Sequence, residues 1–435
     1  METGIPRLAA GTELIGEYQG SGYPEPRYLI RRADGQMIQV SRLLFVLVSH
    51  VDGRRTVAEV ATLLSDEFRK VMQPHQVKYL IDNHLHPAGV VTVDPTAGQA
   101  TEPATMALQP DPLLALKFRV GVVPEHLVWR LAGLFGPMFW PPVILAMLAS
   151  FVAFDALTIA EDGLRQIVPS TLALISQPTS TLLVIGSLLA SAVFHECGHV
   201  SACRYGGARP GTMGIGLYLV WPALYSTVTD AYRLGRLGRL RTDLGGVYFN
   251  AVFITGMNMA YLDTRAPWLL VAVTALHSAT AIQFLPMVRL DGYYMLSDLI
   301  GVPDLFSRMG PVLASINPRR PNHPQVQELK PWARRTVTIW VLIVVPSLLY
   351  WLIGFLIVMS RLAPTILQRL GSLAQQMSKA ASTGHAAQAT VAMFDMIVTL
   401  LPWVGSALLL YIIARGLMRW ILAHRNPSRF RMRQP

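Results

Sequence analysis

The sequence predicts an α-helical polytopic membrane protein of about six spans that carries a small N-terminal α+β domain. Of its 435 residues, 52% are hydrophobic and only 14% are charged, whereas about 25% of the residues of an ordinary soluble protein are charged. The apolar residues concentrate after position 137, in runs of the roughly 20 residues that cross the hydrocarbon core of a bilayer. This composition argues against a simple soluble enzyme.

Residues 27–94 predict a winged-helix domain. A hairpin pattern around an Asp-Gly turn comes first, and three helical patterns and a short β-branched run follow it. The signals are the turn at Asp34-Gly35, Ser41 as the first helix cap, Thr56 with Glu59 as a capping box, Pro74 at the start of the third helix, and Val90–Val93 as the strand.

The charge of this domain argues against nucleic acid as its partner. Residues 27–94 hold nine Arg or Lys and seven Asp or Glu, a net charge of +2, and gripping a phosphate backbone takes a more basic surface. The pattern resembles the PqqD-like fold, a small winged helix that recognises the leader of ribosomally made precursor peptides by adding it as a strand beside its hairpin. The resemblance implies a peptide-recognition domain over residues 1–100. A structural or regulatory domain is the alternative.

A linker and a juxtamembrane amphipathic segment are expected over residues 101–137, and a membrane domain over residues 138–435. The linker is rich in Pro, Ala and Thr, and the basic residues that follow it lie among apolar ones, as in a segment on a membrane surface. Six apolar runs predict spans at about 138–157, 179–203, 243–262, 268–290, 336–360 and 391–414.

The distribution of basic residues predicts that both termini lie in the cytoplasm. With the N-terminus inside, the segments 204–242, 291–335 and 415–435 become cytoplasmic and hold eighteen Arg or Lys, against five in the opposite loops. Basic residues that flank the spans set their orientation. The net charge of +11 then needs no nucleic acid partner. We expect a multi-pass protein of the bacterial cell membrane, without a signal peptide, and two cysteines are too few for a disulfide framework.

The second predicted span ends in a metal-binding motif. His195 and His199 are spaced as in HExxH, which places both imidazoles on one face of a helix, with Glu196 beside them as a general base. Such residues near the end of an apolar span are costly unless they are paired or liganded, so a zinc site is predicted. The alternative is a helix end whose polar residues face water.

A third ligand is expected at the cytoplasmic end of the fourth span. The second and fourth spans run in the same direction, so Asp291 lies at the depth of His195 and His199, and a catalytic zinc usually takes three protein ligands. The alternative is that Asp291 pairs with Arg289. His277 lies too far back along the fourth span and is interpreted as a hydrogen-bonded buried histidine.

These motifs resemble the site-2 protease family of intramembrane zinc metalloproteases, in a bacterial branch of peptide zinc metalloproteases. The similarity covers about residues 113–420 and includes HECGHVSACRYGG and LPMVRLDGYYMLSDLIGVP. It implies that His195, His199 and Asp291 bind Zn²⁺ and that Glu196 is the general base. The chain departs from the family pattern in two places: Gly245-Gly246 precede Asn250 where the family often has Gly-Pro, and Gln283 stands where it often has Asn. Asn250 and Gln283 are each a candidate for contacting substrate or the oxyanion, and an interhelical hydrogen bond is the alternative for Asn250.

The segment Gly211–Thr229 is too broken by Gly and Pro to span a membrane. In the family, the corresponding region forms a strand-like element that can pair with an extended substrate. An ordinary buried loop is the alternative.

The leading hypothesis is therefore a zinc metallopeptidase that cleaves the leader of a precursor peptide near the cytoplasmic membrane face. Two alternatives stay open: regulated proteolysis of a membrane-anchored signalling protein, and a non-catalytic scaffold for peptide export or immunity. Deletion of residues 1–100 is expected to cripple leader processing but not cleavage of a membrane-spanning substrate.

Overall fold

The computed structural model describes residues 5–32, 35–93, 117–175, 178–218, 221–316 and 323–383, and isolated positions between 389 and 418. The predicted linker after residue 94 and most of the basic tail lie outside these residues, and the sixth predicted span is described only in part. The described chain is mostly helical, with a small N-terminal sheet region.

The N-terminal domain contains a three-stranded antiparallel sheet, a two-stranded sheet and three α-helices. Its elements are β1 (Pro6–Leu8), β2 (Glu13–Glu17), β3 (Arg27–Arg31), β4 (Met37–Ser41), α1 (Arg42–His50), α2 (Val57–Phe68), α3 (Pro74–Leu80) and β5 (Val91–Val93). The sheets have the orders β2-β3-β4 and β1-β5. Apolar side chains of the helices and of β3 to β5 form one buried core.

The predicted hairpin and helix starts are present. β3 pairs with β4 so that Arg27 faces Ser41, and Gly35 in the turn has a φ of +79°, the left-handed conformation that glycine tolerates. Ser41 Oγ accepts a hydrogen bond from Leu44 N, and Thr56 and Glu59 form the capping box of α2. Asp34, the other residue of the predicted turn, lies outside the described residues.

The sequence did not signal β1 or β2. β1 has three residues and begins with proline, and β2 contains a bulge at Gly16, whose φ is +122°. Both strands lack the uninterrupted alternation by which a strand is predicted.

The rest of the described chain contains one three-stranded sheet and a set of mostly apolar helices. Its elements are β6 (Lys117–Val123), α4 (Glu125–Leu134), α5 (Pro141–Ala160), α6 (Gly163–Ile175), α7 (Pro178–Tyr205), β7 (Met213–Tyr218), β8 (Trp221–Ser226), α8 (Arg236–Thr264), α9 (Pro267–Gln283), α10 (Asp291–Ile300), α11 (Met309–Ser315), α12 (Pro324–Gln327) and α13 (Pro331–Ser382).

Three of the described helices are long and apolar enough to cross a membrane: α5, α7 over Ser180–Tyr205, and α13. Only 6% of the most apolar stretch of α5 is buried within the protein. A surface this apolar needs an apolar environment, which a bilayer provides. Helices α8 and α9 cover the third and fourth predicted spans, but α9 has 17 residues and α8 buries many polar side chains. The prediction of six spans is therefore not confirmed.

The chain divides into two compact units. The first comprises residues 1–110, 121–214 and 224–342, and the second comprises residues 111–120, 215–223 and 343–435. Within the first unit, α8 packs against α5, α7, α9 and α10 and is the central helix. The second unit contains the middle of the sheet, in the order β6-β7-β8, and most of α13.

Two regions differ in form from the expectation. The juxtamembrane segment begins as strand β6 before it becomes helix α4, whose Val128 and Ala132 are buried. The predicted fifth span and the residues after it form one continuous 52-residue helix, α13. At 1.5 Å per residue such a helix is about 78 Å long, more than twice the thickness of a hydrocarbon core of about 30 Å.

Candidate metal centre

Two histidines and an aspartate meet where α7 and α10 approach each other. His195 Nε2 lies 3.1 Å from Asp291 Oδ2, and His199 Nε2 lies 3.6 Å from Asp291 Oδ1. The two Nε2 atoms are 3.1 Å apart. One ligand atom from each side chain lies within 4.8 Å of the other two, and both histidines are buried. The structure thus brings together the three residues predicted as zinc ligands.

A tight turn between α9 and α10 places Asp291 at the first position of α10. A Cβ on Gly292 would lie 3.0 Å from the Gln283 carbonyl oxygen, so this turn has no room for a side chain there. Trp340 Nε1 donates a hydrogen bond of 2.8 Å to the Pro286 carbonyl and fixes the turn from outside. The turn therefore requires a glycine directly after Asp291.

Three glycines let α7 and α8 approach closely beside the histidines. A Cβ on Gly245 would lie 2.5 Å from the Gly198 carbonyl oxygen, which is closer than real Cβ atoms come. A Cβ on Gly246 would lie 2.5 Å from the Nε2 atoms of both histidines. Gly246 therefore leaves open the space into which the histidine nitrogens point.

The residues present fit a zinc ion. Two imidazoles and one carboxylate match the donor types of catalytic zinc sites, which use three protein ligands and keep a fourth position open. Asp291 Oδ2 is buried and accepts no hydrogen bond from the described residues, although His195 Nε2 lies nearby. A buried carboxylate oxygen without such a partner is costly, and a bound cation would satisfy it.

A backbone carbonyl orients one of the histidines. His199 Nδ1 lies 2.8 Å from the Thr242 carbonyl oxygen, which can only accept a hydrogen bond. The proton of a neutral His199 must therefore sit on Nδ1, which leaves the lone pair of Nε2 directed at the centre. Metal-binding histidines are commonly held in this way.

The neighbouring histidines favour the carboxylate form of Asp291. Burial favours the neutral acid, but the adjacent His199 and His195 outweigh it and hold the pKa of Asp291 below its usual range. Both imidazoles face the carboxylate oxygens of Asp291 at close range, so a positive charge on either imidazole favours the ionised carboxylate.

Glu196 follows His195 on α7 and is partly exposed, whereas both histidines are buried. A residue one position along a helix points about 100° away, so Glu196 lies beside the metal-binding face of α7. Its role as the general base remains a prediction. The alternative in which Asp291 pairs with Arg289 is not observed. Arg289 pairs with Asp304 instead, at 2.6 Å.

Asn250 and Gln283 also lie together. Asn250 Nδ2 donates hydrogen bonds to Gln283 Oε1 at 2.8 Å and to Thr280 Oγ1 at 3.1 Å. Ser191 Oγ on α7 lies 3.5 Å from Asn250 Oδ1. These contacts tie α8 to α9 and α7, which is the interhelical role given above as the alternative. A contact to substrate remains a prediction for both amides.

His277 belongs to a separate polar cluster between α5, α8 and α9. Its Nε2 lies 3.0 Å from Asp155 Oδ2, and its Nδ1 lies 2.9 Å from the Val273 carbonyl oxygen. Asn258 donates to Asp155 Oδ1 at 2.6 Å and accepts from Thr158 at 3.0 Å. The interpretation of His277 as hydrogen-bonded is confirmed, but the side chain is 39% exposed rather than buried.

Sequence reasoning missed the residues that support the centre. The Thr242 carbonyl and the close approach at Gly245 and Gly246 have no signature in a single sequence.

The polar cluster around His277 could have been predicted in part from the sequence. Asp155 and Asn258 are each a polar or ionisable residue inside a predicted apolar span. Cys197 and Cys203 are both free and buried, in agreement with the exclusion of a disulfide framework.

A comparison with curated proteins finds a relative in Bacillus subtilis (strain 168) named "Putative peptide zinc metalloprotease protein YydH". The two chains are 25% identical over 129 residues, which is 29% of this chain and 51% of the relative. The matched region therefore spans about half the length of the relative. No protein-family model and no solved structure matches the chain. The similarity supports a zinc metalloprotease at the level of the family, and the clustered ligands His195, His199 and Asp291 agree with the metal in the relative's name.

Proposed function

We propose that this protein is an intramembrane zinc metallopeptidase that cleaves the leader of a ribosomally made precursor peptide near the cytoplasmic membrane face. The observation that carries the proposal is the cluster of His195, His199 and Asp291 beside Glu196, at the end of an apolar helix long enough to cross a membrane. A zinc metalloprotease relative supports the same chemistry.

The three ligands would hold the zinc, and the residues around them prepare the site for hydrolysis. When bound, zinc acts as a Lewis acid that polarises a carbonyl and lowers the pKa of a water ligand to about 7. Thr242 keeps the Nε2 lone pair of His199 available for binding, and Gly246 keeps the adjacent space free of a side chain.

Glu196 performs the proton transfers. Its carboxylate accepts a proton from the water as the C–O bond to the scissile carbonyl carbon forms, and then donates that proton to the amide nitrogen, so that the C–N bond breaks and the amine leaves. Its partial exposure gives it contact with the water that enters the site. The buried histidines serve only as ligands.

Hydrolysis of a peptide bond requires an extended substrate, and two parts of the chain suit one. The region Gly211–Thr229 folds into strands β7 and β8. At one end of the pair, Gly211 N donates to the Thr227 carbonyl and Thr227 N donates to the Thr212 carbonyl. Strands of this kind can pair with an added strand. The N-terminal domain has the hairpin, three helices and closing strand expected of a PqqD-like domain, and in the proposal it recruits the leader.

The proposal includes a multi-pass topology of six spans with both termini in the cytoplasm. The excess of basic residues in the segments 204–242, 291–335 and 415–435 supports this orientation. His195, His199 and Asp291 then lie at the cytoplasmic ends of their helices, on the side where a ribosomal product is made.

The first experiment is mass spectrometry of a short peptide encoded beside this gene, co-expressed with the wild-type protein or with Glu196→Ala. We expect cleavage with the wild type only, and a loss of at least about 100-fold in rate with Glu196→Ala, because general acid–base catalysis contributes about 10²–10⁴-fold. Zinc content should remain at the wild-type level in the variant, since Glu196 is not a ligand.

Glu125→Ala provides the control, because Glu125 is an exposed carboxylate at the start of α4. It should cleave like the wild type. Full cleavage by Glu196→Ala would defeat the assignment of the general base. An intact peptide with both proteins, together with zinc in the purified wild type, would favour a membrane-anchored signalling protein as the substrate.

A further inference from the structure

The loop between β2 and β3 of the N-terminal domain is inserted among the helices that support the metal centre. Within residues 18–23, Tyr18 and Tyr23 are only 1% and 5% exposed. Gly22 N donates a hydrogen bond of 2.9 Å to the carbonyl of Gly301, the residue that ends α10. This loop is therefore a buried anchor and not a surface turn.

The fit of the loop is tight and involves its backbone. A Cβ on Gly22 would lie 2.6 Å from the Ile300 carbonyl oxygen and 2.8 Å from Val302 Cγ2. Lys330 donates from its backbone N–H to the Gly22 carbonyl at 2.8 Å and from Nζ to the Ser21 carbonyl at 3.0 Å. Every polar backbone group named here finds its partner on the helical part of the chain.

Tyr18 completes a buried ion pair. Arg239 on α8 is 1% exposed, and its Nε donates to Asp298 Oδ1 on α10 at 3.0 Å. The hydroxyl of Tyr18 donates to the same carboxylate oxygen at 3.3 Å, and the Tyr18 ring lies 4.4 Å from the guanidinium carbon of Arg239. The Gln19 carbonyl accepts a further hydrogen bond from Arg239 at 3.1 Å. A buried ion pair is stable only when such additional contacts satisfy it.

The Arg239–Asp298 ion pair joins α8, whose Thr242 carbonyl orients His199, to α10, which carries Asp291. Arg239 lies one turn before Thr242, whose carbonyl orients His199. Asp298 lies two turns after Asp291 on α10, on the same side of that helix. A shift of α10 against α8 would therefore change the position of Asp291 relative to His199.

We propose that Tyr18, a residue of the N-terminal domain, is a positioning residue for the metal centre, because it holds the Arg239–Asp298 pair that fixes α10 against α8. The inference rests on the proposed zinc centre. It makes the N-terminal domain a structural part of the peptidase as well as the site of recruitment.

This arrangement changes how the two domains can be tested. Deletion of residues 1–100 would remove Tyr18 and Gln19 and uncover the Arg239–Asp298 pair, so the inference predicts a loss of both kinds of cleavage. A loss of both would leave the deletion unable to separate leader processing from cleavage of a membrane-spanning substrate. Substitutions on the surface of the N-terminal domain, away from residues 18–23, are the suitable test.

The experiment compares Tyr18→Ala, Tyr18→Phe and Tyr79→Ala in the full-length protein purified in detergent. Tyr79 lies on α3 and is 59% exposed, which makes it a matched control within the same domain. Zinc affinity is measured by competition with a chelator, and hydrogen–deuterium exchange is followed in residues 291–300. The exchange measurement reports the order of α10 independently of activity.

We expect Tyr18→Ala to weaken zinc binding about tenfold, at the lower end of the effect of removing an outer-shell partner of a metal ligand, and to speed exchange in residues 291–300. Tyr18→Phe should have a smaller effect on both, because its ring still covers Arg239. Tyr79→Ala should match the wild type. Wild-type zinc affinity and wild-type exchange in α10 for Tyr18→Ala would overturn the inference.

Asp298→Asn keeps the test decisive if Tyr18→Ala does not fold. It preserves the shape of the side chain but removes the charge that pairs with Arg239. It should therefore weaken zinc binding and speed exchange in residues 291–300. Unchanged zinc affinity and unchanged exchange would overturn the inference.

Failure of the proposed function would give a different set of results. A wild-type protein that cleaves no precursor peptide, together with faster α10 exchange in the variants, would refute leader cleavage and leave the positioning role intact.

Discussion

Gly246 determines how much room the two histidine nitrogens have. A Cβ at this position would lie 2.5 Å from both Nε2 atoms, where the metal is expected. Overpacking of this kind typically costs about 1–3 kcal/mol, which corresponds to roughly 5- to 150-fold in a binding constant. We therefore expect Gly246→Ala to weaken zinc binding by about that factor, measured by competition with a chelator.

Gly256→Ala is the matched control for this substitution. Gly256 lies on the same helix, and a Cβ there would meet no atom within 4 Å. Both substitutions have the same small effect on helix propensity. Equal zinc affinities for the two variants would show that the space beside Gly246 is not used by the metal.

Single residues were predicted where local chemistry alone identifies them. His195 and His199 follow from a four-residue spacing on one helix, and the choice of Asp291 needed only the direction of two spans. Thr242 acts through its backbone carbonyl, which any residue possesses, so its side chain gives no signal. The contact of Tyr18 with Asp298 crosses 280 positions of the chain, and no local pattern encodes such a pairing.

The helices α5, α8 and α9 are joined by a polar cluster away from the metal centre. Asn258 is fully buried and connects the other members, donating to Asp155 and accepting from Thr158. Asn258→Leu keeps a similar volume but removes the hydrogen bonds that Asn258 makes with Asp155 and Thr158. Interhelical hydrogen bonds in membrane proteins contribute about 0.6 kcal/mol on average and up to about 1.7, so we expect a loss of about 1–2 kcal/mol in unfolding free energy.

Unfolding of the detergent-solubilised protein by denaturant measures this effect, and zinc affinity should stay at the wild-type value. Thr255→Val is the control, because the Thr255 hydroxyl donates only to Ala251 of its own helix. A stability loss for Asn258→Leu no larger than that for Thr255→Val would contradict a role of the cluster in joining the helices.

Helices and strands with long, regular sequence patterns were predicted correctly, and those with short or irregular patterns were missed. The 20-residue apolar run of α5 and the capping box of α2 are unambiguous, and both elements lie where the sequence placed them. Strand β1 is too short for a period to emerge, the bulge next to Gly16 interrupts the period of β2, and both strands pair with other parts of the domain. The continuity of α13 through Pro346 and Pro364 overrides the helix-breaking tendency of proline.

The proposed orientation of the whole molecule rests on its charges, and the proposed position of the metal centre rests on that orientation. The segments predicted to be cytoplasmic hold eighteen Arg or Lys, against five on the opposite side. The N-terminal domain contacts α8 and α10 through residues 18–22, so it must lie on the same side of the membrane as the ends of these helices that it touches. Both arguments support the proposed position of this domain in the cytoplasm.

Labelling of single cysteines in intact cells tests this orientation. Val71 in the N-terminal domain and Arg165 at the start of α6 are both exposed, at 77% for the residue and 86% for the side chain, and they are predicted to lie on opposite sides of the membrane. The native Cys197 and Cys203 are buried and give little background. We expect a membrane-impermeant maleimide to label Arg165→Cys in intact cells, and to label Val71→Cys only after lysis. Labelling of Val71→Cys before lysis would reverse the orientation and place His195, His199 and Asp291 on the outer side, where a cytoplasmic precursor peptide could not reach them before export.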